Sequence, residues 1–218
     1  MKAPIVVIGD GGHAKVVIEV LESTGEFEIR GCTAAPGRQG ELHGYPILGA
    51  DDLLPGLLRS GVTHAFVALG SNAERKRMLA VVRAIGFQVP NAISPRAIVS
   101  PRARFGSGVL VMPGAIVNAD AAIGDGCIIN SGCVVEHDCV LGECVHVAPG
   151  AVLAGGVIAG DGAFLGAGCV VIERVRVGGW AFVGAGAAVV GAIEDAATVA
   201  GVPARPLPCP TANREPKS

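Results

Sequence analysis

Aromatic side chains are scarce here: one tryptophan, one tyrosine and six phenylalanines among 218 residues. They are too few to build a core, so burial falls to small aliphatics, within a hydrophobic share of 50%. Charge is thin as well. Asp, Glu, Lys and Arg make up 17% and leave a net −2, which argues against bulk binding of nucleic acid or another polyanion. Long apolar runs are missing. No stretch of about eighteen uninterrupted apolar residues occurs, so no transmembrane helix and no membrane partner are expected. Residues 5–8 enter a strand almost at once, without the h-region and cleavage site of a secretory signal, so a cytoplasmic location is expected.

Cysteine is present seven times, an odd count that does not suit a disulfide framework. Cys127, Cys133, Cys139 and Cys169 fall on a single position of a repeat, where Ala and Val also occur. They act there as small hydrophobes, and no metal site is expected.

That repeat runs from Val99 to Val189. Every sixth residue is large and apolar, from Val99, Phe105 and Val111 to Val177, Val183 and Val189, with Ala159 the one exception. A small residue stands two places before each, and glycine dominates three places after. A period of six fits neither a helix at 3.6 nor a plain strand at 2. It fits a β-solenoid in which each hexad makes one short strand and one corner, and three hexads close a triangular coil. Residues eighteen apart then stack at about 4.8 Å, and roughly five coils make a prism about 24 Å tall.

The first 90 residues read differently. Residues 5–8 are an apolar strand, 9–12 a glycine turn, and Ala14, Val17, Ile18 and Leu21 keep helical spacing. The turn places backbone N–H groups and a helix N-terminus at one spot, which suits a phosphate or another polar ligand. A second strand near 27–32 ends in Thr33-Ala34-Ala35, without the acid that would hold the ribose of a dinucleotide, so NAD is disfavoured. Residues 36–49 read as a turn-rich loop, 51–60 as a short helix, 63–69 as a strand, 74–85 as a helix and 87–89 as a last strand. The order implies a small Rossmann-like parallel sheet whose ligands meet the carboxyl ends of its strands. The domains expected are 1–90, 91–205 and a disordered tail, 206–218.

The hexad repeat resembles that of the hexapeptide acyltransferases, whose solenoid is a left-handed parallel β-helix. The hand comes from that resemblance. Gly201-Val202-Pro203-Ala204-Arg205 is similar to the ending of many acetyl-CoA-dependent members. Ile8-Gly-Asp-Gly-Gly-His13, paired with the stretch from Asn130 through Glu136-His137-Asp138 to His146, resembles the sialic-acid O-acetyltransferase and bacillosamine N-acetyltransferase family over residues 4–205.

The resemblance implies an N-acetyltransferase that uses acetyl-CoA and a nucleotide-linked 4-amino-4,6-dideoxy sugar, a GDP-linked one among the candidates, and works as a homotrimer. It implies His137 as general base with Asp138 beside it, Glu136 being the local rival. An imidazole titrates in the range needed to deprotonate an amine. It further implies Gly11, Gly12, His13, Thr33, Asn72, Asn130 and Glu136 toward the nucleotide sugar, and His146, Gly155, Ala167 and Ala185 along acetyl-CoA. Where relatives often carry an acidic pair after the second strand, this chain has Thr33-Ala34. Arg75 is open between a family motif and a solvated helix residue. Rival readings are O-acetylation of a sialic-acid-like sugar and a non-catalytic sugar-binding scaffold. A zinc lyase on the same solenoid is disfavoured, since only His137 and His146 lie in the repeat.

Overall fold

The computed structural model describes residues 2–207, which divide into two compact units, 2–94 and 95–207. In the first, β1 (Ala3–Ile8) is buried from Ile5 onward and lies inside the sheet. α1 (Gly12–Thr24) buries Ala14, Val17, Ile18, Val20 and Leu21, and stops where Gly25 turns left-handed. There follow β2 (Phe27–Thr33), β3 (Glu41–Leu42), β4 (Tyr45–Gly49), one 3-10 turn over Asp51–Leu53, α2 (Leu54–Arg59), β5 (His64–Val67) and α3 (Asn72–Ile85). The sheet order is β3-β4-β2-β1-β5, parallel except for the β3–β4 hairpin.

Two expectations are corrected. Residues 36–49 are no loop throughout, because they contain β3 and β4. The hairpin turns on His43-Gly44, both at positive φ (49° and 81°), the geometry that matches strand twist. The last strand expected at 87–89 shrinks to a single bridge between Gln88 and His64. Pro90 has no N–H with which to extend that ladder.

The second unit is the solenoid. Sixteen two-residue strands follow one another at six-residue intervals, from Ile98–Val99 to Ala188–Val189. The first thirteen each pair in parallel with the strand eighteen residues on, as in the column Val117, Val135, Leu153, Val171, Val189. The inward residues are buried from Val111 onward, while Val99 and Phe105, in the first coil, are only half-buried. Three places after each inward residue the chain turns with φ between 55° and 73° at every corner from Gly108 to Gly186. Glycine takes most of these corners; Asp120, Asp138, Cys144, Arg174 and Trp180 take the rest. Asp and Asn are the side chains that visit this region most readily.

At the far end Thr198–Ala200 stacks on Phe182–Val183, and Arg205–Pro206 folds back antiparallel upon it. Pro206 and Leu207, placed by the sequence in a disordered tail, therefore belong to a hydrogen-bonded hairpin, with Leu207 N donating to Thr198 O at 2.8 Å. Residues 208–218 lie outside the described residues. Among the described residues no helix is long and apolar enough to cross a membrane.

Candidate active site

In the first unit β1, β2, β4 and β5 run parallel, so their carboxyl ends share one edge of the sheet. The loops that leave them enclose a cleft of about 1000 Å³. Gly9, at φ 113°, lets the β1–α1 loop approach the end of β5: a Cβ there would stand 3.0 Å from the Ala68 carbonyl oxygen. Gly11 caps α1 and Gly12 opens it, and both stand clear of neighbours on the cleft side. His13 lines the cleft in the first turn. Burial first, and the Arg75 charge second, lower its pKa to about 4, so the ring is neutral at physiological pH.

Arg75 is not a solvated helix residue. It is 1% exposed, and its guanidinium donates from Nη1 to the carbonyls of Leu69 (2.9 Å) and Gly70 (3.2 Å) and from Nη2 to Asn72 Oδ1 (2.8 Å). Satisfied by those oxygens, the cation can stay in the interior and fasten the β5–α3 turn. The side-chain oxygen of Asn72 is therefore engaged by Arg75.

Thr33 is fully buried, and its hydroxyl donates to Asp51 Oδ1 at 2.6 Å. Asp51 and Asp52 line the same cleft as Gly11, Gly12 and His13. The carboxylates missing after β2 thus arrive from the segment after β4. Sequence reading missed them because it looked for the acid beside Thr33 rather than eighteen residues on. Their signal was a pair of acids following a glycine-ended strand. At the mouth, Arg38 meets Asp10 at 2.6 Å.

On the solenoid, Glu136-His137-Asp138 forms the corner after the strand Val134–Val135. His137 Nδ1 donates to Asp138 Oδ2 at 2.8 Å, and its backbone N–H reaches Glu136 Oε2 at 3.3 Å. A carboxylate only accepts, so the neutral ring carries its proton on Nδ1 and its lone pair on Nε2. The hydrogen bond to Asp138 is the main cause that raises the His137 pKa above the ordinary histidine range. Glu136 contributes charge without touching the ring nitrogens.

Asn130 and His146 form a second group. Asn130 Oδ1 accepts from Ser131 N at 2.8 Å, which turns the amide nitrogen toward His146 Nε2 at 3.1 Å. The His146 ring meets Phe164 edge-on at 5.0 Å, and Phe164 stacks on Phe182 at 4.9 Å.

The PglD N-terminal domain family matches residues 4–82, and the bacterial transferase hexapeptide (six repeats) family matches residues 102–137. A perosamine N-acetyltransferase from Caulobacter crescentus, a histidine-to-asparagine variant solved with CoA and GDP-perosamine, is 45% identical. The match covers 94% of this chain and 97% of that one, with a TM-score of 0.91. The chain belongs to the hexapeptide-repeat sugar acetyltransferases. The acetyltransferase domain of PglB from Neisseria gonorrhoeae, solved with acetyl coenzyme A, is similar at 38% identity, covering 95% of this chain and 100% of that one (TM-score 0.89). WeeI from Acinetobacter baumannii is similar at 26% identity, covering 94% and 100% (TM-score 0.84). A search among curated protein sequences found no significant match.

In this acetyltransferase the left-handed helix separates residues that lie close in sequence. His137 and Asp138 follow the strand Val134–Val135, whereas Asn130 precedes it, so the two groups occupy different corners of the triangular coil. Gly155 stacks above His137, Gly156 N donating to His137 O at 2.9 Å. Ala167 and Ala185 stack above Ser131 and Pro149 on the Asn130 corner, through Gly150 N to Ser131 O, Gly168 N to Pro149 O and Gly186 N to Ala167 O. The residues read along acetyl-CoA thus divide, with Gly155 on the His137 corner and Ala167 and Ala185 on the other.

Proposed function

We propose that this acetyltransferase transfers the acetyl group of acetyl-CoA to the C4 amine of a nucleotide-linked 4-amino-4,6-dideoxy sugar. The observation that supports it most is the 45% identity, over 94% of the chain, to an N-acetyltransferase whose structure holds CoA and GDP-perosamine. In this reading the nucleotide occupies the cleft at the strand ends of the first unit. The N–H groups of Gly11 and Gly12 and the start of α1 face the diphosphate, and neutral His13 adds a hydrogen-bonding group without charge. On the solenoid, Asp138 holds the His137 ring so that Nε2 is the nitrogen available to the C4 amine. His137 Nε2 takes a proton from the C4 ammonium, the freed amine attacks the thioester carbonyl carbon, and the tetrahedral adduct collapses to the amide as the C–S bond breaks, the excess proton on its nitrogen passing to the sulfur, which leaves as CoA thiol.

The acetyltransferase works as a homotrimer in this proposal. The His137 corner and the Asn130–His146 corner flank one face, whose outward residues Ile98, Ile116, Val134, Val152 and Val170 are all apolar. A second copy packed on that face covers those residues and brings its own corner toward the first.

The test is CoA release with acetyl-CoA and a panel of GDP-, UDP- and dTDP-linked 4-amino sugars beside free sialic acid. Turnover on an amino sugar, with His137→Ala slower by roughly 10²-fold or more, supports the proposal. Turnover on the hydroxyl acceptor alone replaces it with O-acetylation.

A further inference from the structure

We infer that Asp51 reads the base of the nucleotide and selects guanine, an inference that rests on the nucleotide-linked substrate proposed above. The two ends of the cleft differ in the groups they offer. At β1 and β5 the N-termini of α1 and α3 point into it, and Arg75 is buried behind Leu69 and Gly70. The helix N-termini suit a diphosphate, with Asp10 paired to Arg38 and Glu74 at the rim of the same end. At β4 the lining carries Asp51 and Asp52, two adjacent carboxylates with no basic side chain from the same segment. The sheet order β4-β2-β1 puts two strand spacings, roughly 10 Å, between β4 and β1. A nucleoside laid from the α1 end toward β4 brings its base to Asp51.

Asp51 is prepared for such a contact. It is half-buried, and the buried hydroxyl of Thr33 ties down Oδ1 at 2.6 Å, which leaves Oδ2 for a ligand. Asp10, the acid nearest α1, is engaged by Arg38 at 2.6 Å. A carboxylate accepts and never donates, so it favours an edge rich in N–H groups. Guanine presents two adjacent donors, N1–H and the N2 amino group. Uracil and thymine flank a single N3–H with two carbonyl oxygens that a carboxylate repels. Adenine and cytosine set one amino group beside an acceptor nitrogen. Asp51 therefore both attracts guanine and penalises the pyrimidine-diones, and selectivity needs both.

The experiment is calorimetric titration of the full chain with GDP, IDP (which lacks the N2 amino group), UDP and 2′-deoxy-GDP, for wild type and Asp51→Asn. The wild type is expected to bind GDP about 10- to 100-fold tighter than IDP, and 2′-deoxy-GDP as tightly as GDP. Asp51→Asn is expected to bind GDP and IDP alike, with an unchanged thermal midpoint. Thr33→Val, which frees Asp51 to rotate, is expected to narrow the GDP-to-IDP ratio. An unchanged ratio in Asp51→Asn overturns the inference. So does a wild type that distinguishes GDP from 2′-deoxy-GDP but not from IDP, since Asp51 then reads the ribose. Tight binding of UDP equal to that of GDP removes the inference alone. No binding of any diphosphate removes the nucleotide cleft and the inference with it.

Discussion

The imidazole of His137 lies across the bare α-carbon of Gly155, eighteen residues ahead. A methyl group on Gly155 would stand 2.7 Å from both Cε1 and Nε2 of the ring. Stacking by whole coils creates this contact, and Asp138 pins the other side of the ring at Nδ1. The carboxylate and the empty α-carbon together set the direction of Nε2.

Gly155→Ala is expected to damage rate and spare the fold. The backbone there is not left-handed, and the atoms a methyl group meets belong to an exposed ring that can swing aside. Stability should change by no more than a surface substitution changes it, roughly 0.5 kcal/mol. Turnover should fall roughly 100-fold, as expected for a base displaced by about 1 Å. Thermal unfolding beside steady-state kinetics separates the two effects. A variant with full turnover shows that ring placement does not matter.

The pH profile follows from the Asp138 contact. That contact raises the His137 pKa, so the ring stays protonated, and useless as a base, to higher pH than an ordinary histidine. The ascending limb of kcat/KM should lie above pH 6.5. Asp138→Asn keeps a residue tolerant of the corner's φ of 62° and removes the charge. Its ascending limb should move to lower pH, with reduced turnover. A limb that stays in place assigns the titration to another group.

Arg75→Met should destabilise the first unit by about 3 kcal/mol, because the Leu69 and Gly70 carbonyls lose their donor. The same change removes a charge that lowers the His13 pKa, so that pKa should rise from about 4. In the wild type His13 binds its proton less tightly folded than unfolded. Stability should therefore fall as pH drops from about 6.5 toward 4, and His13→Gln should lessen that fall. NMR titration of the imidazole and unfolding across this window check both.

The described thiols should be unreactive in the native state. Cys32, Cys127, Cys133, Cys139, Cys144 and Cys169 are all buried. Burial pushes Cys133 up to about 12 and Cys32 and Cys169 up to about 11, far from thiolate formation at neutral pH. Modification by an aromatic disulfide reagent, followed with and without denaturant, should show them only on unfolding.

What sequence reading missed is local and has physical causes. The β3–β4 hairpin hid in a Pro- and Gly-rich stretch because a two-residue strand carries too little alternation to see, and only His43-Gly44 marked the turn. Arg75 stayed open between a motif residue and a solvated one because a guanidinium at the start of a helix is usually solvated. Its burial depends on carbonyls of a turn whose shape is not written in composition. The role of Asp51 was overlooked because its partner, Thr33, ends a strand eighteen residues earlier. The separation of Asn130 from His137 could have been foreseen, since successive hexads occupy successive faces.

The period of six, held in register from Val99 to Val189, determined the solenoid by itself, because no other regular structure brings every sixth side chain inward. Strand, glycine turn and helical spacing likewise determined the small parallel sheet. Tertiary structure alone decided which distant residues meet: Gly155 against His137, Asp51 against Thr33, and Arg75 behind the Leu69 and Gly70 carbonyls. Stacking of coils and pairing of strands convert fixed sequence separations into contacts, and hydrogen bonds between elements then choose which polar groups remain for a ligand.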